Sequence, residues 1–115
     1  NWGKEKLKSR KPIIIPQIET KKAVDNLDKI LKYDFNYFLI GPYDLSASLM
    51  CVEEFKNKKY IKYIEKIKNK IPEEKLGIHI PKNINENIQP YKNFGFKCFG
   101  MDTTMLVESI NKMDF

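Results

Sequence analysis

The feature that most constrains this chain is an alternation. Four short apolar runs, rich in β-branched residues, are each followed by a stretch whose apolar side chains recur at helical spacing. Ile13 to Ile18, bounded by Pro12 and Glu19, is the first run, and its composition predicts a buried strand. Pro16 within it argues mildly against full pairing, because proline gives a ladder no donor. Val24, Leu27, Ile30 and Leu31 then fall on one helical face between Lys22 and Lys32. Tyr37 to Ile40 predicts the second strand, stopped by Gly41-Pro42. A loop from Gly41 to Val52 is expected to lead into a longer helix with Ile61, Ile64, Ile67 and Ile71 inward, ended by Pro72. Leu76 to Ile80 predicts the third strand. A weaker helix with Ile84, Ile88 and Tyr91 follows, kinked or restarted at Pro90 and closed by Gly95 as its C-cap. Phe96 to Met101 predicts the fourth strand, and Asp102 or Thr103 is expected to cap a last helix with Leu106, Val107 and Ile110 inward.

Four successive βα units predict an α/β domain with a parallel sheet and helical crossovers. The period is compatible both with an open doubly wound sheet and with half of an eight-stranded barrel. No glycine-rich phosphate loop follows the first strand, which argues against dinucleotide binding. A chain of 115 residues is enough for one domain, taken as 1–115, with a modest core. It begins at Asn1 rather than Met, so a fragment or processed piece is expected.

Composition excludes some function classes. No apolar run approaches the roughly twenty residues of a membrane span, and no signal-peptide pattern opens the chain. The net charge of +6 rests on Lys, with one Arg, Arg10. Phosphate and guanine recognition favours the bidentate guanidinium. The lysines are spread along the chain, and Lys, Asn and Ile together make 45 of its 115 residues, the skew expected of AT-rich codons. No nucleic-acid partner is therefore expected. Cys51 and Cys98 have no framework spacing, which predicts two unpaired thiols in a reducing, cytoplasmic setting.

The chemistry-bearing residues gather at strand ends. With period two, Ile13, Ile15, Gln17 and Glu19 share one face, which turns from apolar to polar at its carboxyl end. That end is where parallel α/β folds build sites. Glu19 is read either as a site carboxylate or as a strand-end residue that faces water or pairs with a Lys. The second strand ends in Gly41-Pro42-Tyr43-Asp44-Leu45-Ser46. Gly41 permits close approach of the backbone to a ligand, and the N–H groups after Pro42 are placed to receive a carboxylate. Asp44 is either a second carboxylate beside Glu19, a pair suited to a hard divalent cation, or the N-cap of a short Leu45–Leu49 turn.

The segments PQIETKKAVDNLDKIL, FLIGPYDLSAS, LGIHI and GFKCFGMDTTML resemble, in order, segments of the HpcH/HpaI aldolase family, whose members include class II pyruvate aldolases, with citrate lyase β-type proteins more distant. The resemblance runs from Ile13 to Leu106 and is carried by the paired Q-x-E and G-P-x-D-L motifs. It implies the C-terminal half, about strands five to eight, of a (β/α)8 barrel. It implies that Glu19 and Asp44 bind a divalent cation, Mg, Mn or Co. It also implies that Gln17 contacts a bound 2-oxo acid, and that Gly41, Pro42, Tyr43 and Asp44 form the pocket for its carboxylate. The implied reaction is metal-dependent cleavage of 4-hydroxy-2-oxo acids to pyruvate and an aldehyde, in a homo-oligomer when the protein is complete.

Three departures qualify that expectation. The catalytic His and Arg of the family lie in the first half of the barrel, so no catalytic residue is assigned within this chain. His79 is the only histidine and is read as a wall residue sharing a face with Gly77, and Arg10 lies at the wrong end of the barrel. Met50-Cys51 stands where the family has a glycine after S-A-S. The alternatives are a citrate-lyase-like acyl lyase of the same superfamily and an inactive half-barrel that serves as an assembly or binding module.

Overall fold

The computed structural model of the chain describes residues 11–80, 92–100 and 102–113. Strands β1 (Gln17–Ile18), β2 (Phe38–Ile40), β3 (Leu76–Ile80) and β4 (Phe96–Phe99) form one sheet in the order β1-β2-β3-β4. Every pair is parallel. Between them lie α1 (Lys21–Asp25), α2 (Leu27–Ile30), α3 (Pro42–Ser48) and α4 (Lys58–Lys68), and α5 (Asp102–Asn111) follows β4. This order settles the choice that periodicity left open. A doubly wound sheet reverses direction at a switch point. Here each crossover moves one strand onward in the same direction, and crossovers of one hand then place their helices on one face. That is the winding of a barrel.

The core lies on that helix-covered face. Ile18, Phe38, Ile40, Leu76, Ile78 and Ile80 are buried from the sheet, and Val24, Leu27, Tyr60, Tyr63 and Ile67 are buried from the helices. Thr20 caps α1 by accepting from the Ala23 N–H at 3.1 Å. Asn26 breaks the expected continuous helix into α1 and α2. Asp25 clamps α1 to α4: its carboxylate accepts from Lys21 Nζ at 2.6 Å and from Tyr63 Oη at 3.1 Å, with Lys66 Nζ at 3.7 Å.

Several expectations need correction. Only Gln17 and Ile18 of the first run are laddered, and Ile13, Ile14 and Ile15 are 69, 61 and 43% exposed rather than buried. No strand among the described residues lies on their outer side. The expected loop after Gly41 contains α3, because Pro42 supplies a preset first helical turn. On α4 the inward face is Tyr60, Tyr63 and Ile67, with Ile61 on the exposed side. Ile64, Ile67 and Ile71 do face the core as expected, and Tyr60 and Tyr63 take the inward places at the start of the helix that were assigned to Ile61. The helix ends at Lys68, before Pro72. Leu106, Val107 and Ile110 of α5 are 61, 55 and 46% exposed, because no described element packs against them. Asp102 and Thr103 are the first residues of α5, so its cap position is residue 101, outside the described residues. The predicted helix with Ile84, Ile88, Pro90 and Tyr91 also lies outside them, as does Arg10. Gly95 has a visible role of its own. Its N–H donates to the carbonyls of Glu73 and Leu76 at 2.9 and 3.0 Å, and a Cβ there would collide with the Glu73 carbonyl.

No helix among the described residues is long and apolar enough to cross a membrane. Cys51 is buried and Cys98 exposed, and both are free thiols.

Candidate metal and oxo-acid site

The second face of the sheet carries the site. Register places Gln17, Leu39, Gly77 and Phe96 in one row. Two residues further along the strands the row reads Glu19, Gly41, His79 and Cys98, of which His79 and Cys98 pair directly in the ladder. These rows lie on the face opposite the helices, and the second sits at the carboxyl ends of the strands.

Gly41 organises the polar end of that face. Its N–H donates to the Ile18 carbonyl at 3.1 Å, fixing the end of β2 against β1. A Cβ on Gly41 would sit 2.7 Å from Gln17 Nε2, 3.0 Å from Glu19 Cβ and 3.2 Å from Glu19 Oε2. The glycine therefore leaves room for both side chains to lie over the backbone, where sequence alone suggested room for a ligand. Gln17, Glu19 and Gly41 are brought together as the motifs required.

Gly41 is also the N-cap of α3, without a side chain to cap it. Pro42 has no N–H, so the first turn of α3 exposes the helix N-terminus at Tyr43 and Asp44. Asp44 is in the first turn of α3, where its charge complements the helix dipole. This corrects the reading of Asp44 as N-cap of a Leu45–Leu49 turn. Asp44 is exposed and Glu19 half-buried. Neither carboxylate makes an ion pair or hydrogen bond among the described residues, unlike those of Asp25, Asp28 and Glu54 and like those of exposed Asp34, Glu65 and Glu74. The Lys partner that would make Glu19 a simple surface ion pair is absent among them.

Two features that sequence reasoning did not single out hold α3 in place. Ser46 is fully buried; its Oγ donates to the Tyr43 carbonyl at 2.8 Å and accepts from the Glu53 N–H at 3.1 Å. Its signal in the sequence was only the serine two residues after Asp44. The helix then closes with paired bonds, Met50 N–H to the Ala47 carbonyl and Cys51 N–H to the Ser46 carbonyl, both 2.9 Å. This is the pattern in which the first residue after the cap adopts a left-handed conformation, normally as glycine. Met50 occupies it at φ 62°. Tyr43 is half-buried, its ring edge-on to Phe55 at 5.2 Å.

His79 is tied down. Its Nε2 lies 2.8 Å from the Gly100 carbonyl, which can only accept, so Nε2 carries the proton. The ring fastens the end of β3 to the end of β4, as expected of a wall residue. In the lower row the Phe96 ring lies across Gly77, where a Cβ would collide with it, and meets Tyr37 edge-on at 5.9 Å.

No group of three or more His, Cys, Asp and Glu side chains placed to hold a metal occurs among the described residues. The chain offers two carboxylates. That donor set fits a hard cation whose remaining positions belong to water and an oxygen-rich ligand, and it does not fit zinc or a redox metal held by nitrogen and sulfur.

No protein-family model and no curated protein matches the sequence. Solved structures do. The HpcH/HpaI aldolase from Desulfitobacterium hafniense DCB-2 has a TM-score of 0.63 at 20% identity, over 89% of this chain and 44% of its own. The citrate synthase SbnG has a TM-score of 0.65 at 17% identity, over 86% of this chain and 42% of its own. An HpcH/HpaI aldolase/citrate lyase family protein from Burkholderia cenocepacia J2315 has a TM-score of 0.62 at 16% identity, over 85% of this chain and 39% of its own. This chain thus spans less than half of the length of each. Its four parallel strands, in sequential order with described helices after β1, β2 and β4, have the fold of part of an HpcH/HpaI-type (β/α)8 barrel.

Proposed function

We propose that this chain is the C-terminal half of a cytoplasmic, divalent-metal-dependent carbon–carbon lyase that cleaves 4-hydroxy-2-oxo acids to pyruvate and an aldehyde. The observation that carries the reading is the unspent carboxylate of Glu19, held beside Gln17 over Gly41 at the first turn of the helix that bears Asp44. Glu19 and Asp44 would hold Mg2+, Mn2+ or Co2+. Bound there, such a cation supplies Lewis-acid polarisation of the keto oxygen of the 2-oxo acid. The backbone around Tyr43 and Asp44, at the positive end of α3, would receive the substrate carboxylate. The Gln17 amide would orient the 2-oxo acid from the neighbouring strand. Buried Ser46 and the Met50–Cys51 turn keep that helix end rigid.

Carbon–carbon cleavage also needs proton transfer at the aldol hydroxyl and benefits from a cation near the oxyanion. His79 commits its Nε2 to Gly100, so we assign both tasks to groups outside this chain. The isolated chain is then catalytically silent. The similarity to a citrate synthase and to an aldolase/citrate lyase family protein favours a second reading, acyl lysis of a citryl-type substrate on the same carboxylates.

The test is pyruvate release by the complete protein from a panel of 4-hydroxy-2-oxo acids with Mg2+, Mn2+ or Co2+, with and without chelator. Chelator-sensitive release supports the aldolase. No release from any of them sinks it, and cleavage confined to citryl-type substrates establishes the second reading. Release that is indifferent to chelator contradicts the metal role.

A further inference from the structure

We propose that Ser48 is a positioning residue. Its hydroxyl fastens the β1–α1 junction, which carries Glu19, to α3, which carries Asp44, and so sets the spacing of the two carboxylates. The inference rests on the reading of Glu19 and Asp44 as cation ligands and names the side chain that holds them at one site.

Glu19 follows β1 and Asp44 lies in α3, after β2, so their spacing depends on how the two backbones are joined. Two bonds join them. Before Glu19, the Ile18 carbonyl accepts from the Gly41 N–H at 3.1 Å. After it, the Lys21 N–H donates to Ser48 Oγ at 2.7 Å. Gly41 precedes Asp44 and Ser48 follows it. The two bonds therefore close a loop of chain with one carboxylate on each side. The first bond belongs to the end of the parallel ladder and is made by backbone alone. The second depends on one side chain.

Lys21 is the first residue of α1, and its N–H has no acceptor within that helix. Caps usually come from the residue just before a helix, and Thr20 serves the Ala23 N–H in that way. The Lys21 N–H takes its acceptor from another helix. Ser48 is the last residue of α3 and stands four after Asp44. Residues at that spacing share one face of a helix. The face of α3 that carries Asp44 is therefore the face to which the Glu19 junction is tied. α3 is itself anchored by Leu45 and Ser46, both fully buried. The bond thus fixes where the junction lies against a helix that is already held. Ser48 is half-buried and Lys21 exposed. In Ser48→Ala water can take the Lys21 N–H, so stability should change little while the junction loses its fixed place. Removing a contact that orients a metal ligand commonly weakens metal binding by roughly 10–100-fold.

The test uses the complete protein with Mn2+ as the probe, read by the electron spin resonance of the free ion. Ser48→Ala should weaken Mn2+ binding by roughly tenfold, with a urea midpoint close to that of wild type and faster hydrogen exchange at the Lys21 amide. Ser48→Thr keeps the hydroxyl and should restore the affinity. Tyr63→Phe, which removes the bond from α4 to Asp25 of α1, should leave Mn2+ affinity unchanged. Wild-type affinity in Ser48→Ala, in a protein whose site is lost in Glu19→Ala with Asp44→Ala, overturns the role of Ser48 alone. An equal loss in Tyr63→Phe also overturns it, because Ser48 is then only a general support of α1. A wild type without an Mn2+ site, or with one indifferent to the double variant, overturns the cation-site reading and this inference with it.

Discussion

The two faces of one four-stranded sheet follow different rules. On the helix-covered face Ile18, Ile40, Ile78 and Ile80 are buried by the chain's own α1 to α4. On the other face Gln17 and Cys98 are exposed, and Leu39, His79 and Phe96 are half-buried. The first face carries most of the buried core of the described residues. The second holds the candidate chemistry, and its shape depends on the missing side chains at Gly41 and Gly77. In barrels generally, strand ends carry sites and the layers between helices and sheet carry the fold.

Truncating each face should separate the two. Ile40→Ala, at a fully buried position on the helix side, should lower unfolding free energy by about 2–5 kcal/mol. That loss is read from urea midpoints. Leu39→Ala, one residue away on the other face and only half-buried, should cost less, about 1 kcal/mol in the same assay. Equal losses at the two positions would dissolve the distinction.

A smaller effect is expected where the two faces join, at the end of α3. Met50 holds a left-handed φ of 62° and is 88% exposed, so its side chain buries little while its backbone is strained. Met50→Gly should raise stability by up to about 1 kcal/mol. A loss of that size in thermal or urea unfolding would show that the methionine packs usefully against something.

How much of this was legible beforehand follows the same division. The four strands, their alternation with helices and the clustering of Gln17, Glu19 and Gly41 could be read from period and motif, because those signals are local. On α4 the expected Ile64, Ile67 and Ile71 do face the core, but Ile61 does not, because Tyr60 and Tyr63 make the contact there, and a count of isoleucines cannot see that. Burial of Ile13 to Ile15 and of Leu106, Val107 and Ile110 was expected from hydropathy, but burial also needs a neighbour. Strand order had no local signal at all. The role of Ser46 was hidden because a buried hydroxyl with two partners looks, in sequence, like any other serine.

The smallest effect belongs to the clamp between α1 and α4. The hydrogen bond from Lys21 holds the Asp25 carboxyl below its ordinary value of 3.8, with help from Tyr63 and Lys66. A depressed carboxyl stabilises the fold above its unfolded value, and that contribution is lost as pH falls through the lower folded-state value. The pair is exposed, so the effect is screened by salt. Wild type should therefore lose slightly more stability than Asp25→Asn on acidification below 3.8, and less so at high salt. Identical acid profiles would remove Asp25 from the account of the helix layer.

The central claim is that the carboxylates of Glu19 and Asp44, unpaired among the described residues, form one cation site, and Mn2+ binding tests it most directly. Titration of the complete protein should show one saturable Mn2+ site. It should be abolished in the double variant Glu19→Ala with Asp44→Ala and weakened about tenfold or more by Gly41→Ala, whose Cβ would lie 3.0 Å from Glu19 Cβ and 2.7 Å from Gln17 Nε2. Mn2+ affinity unchanged in the double variant would contradict the account.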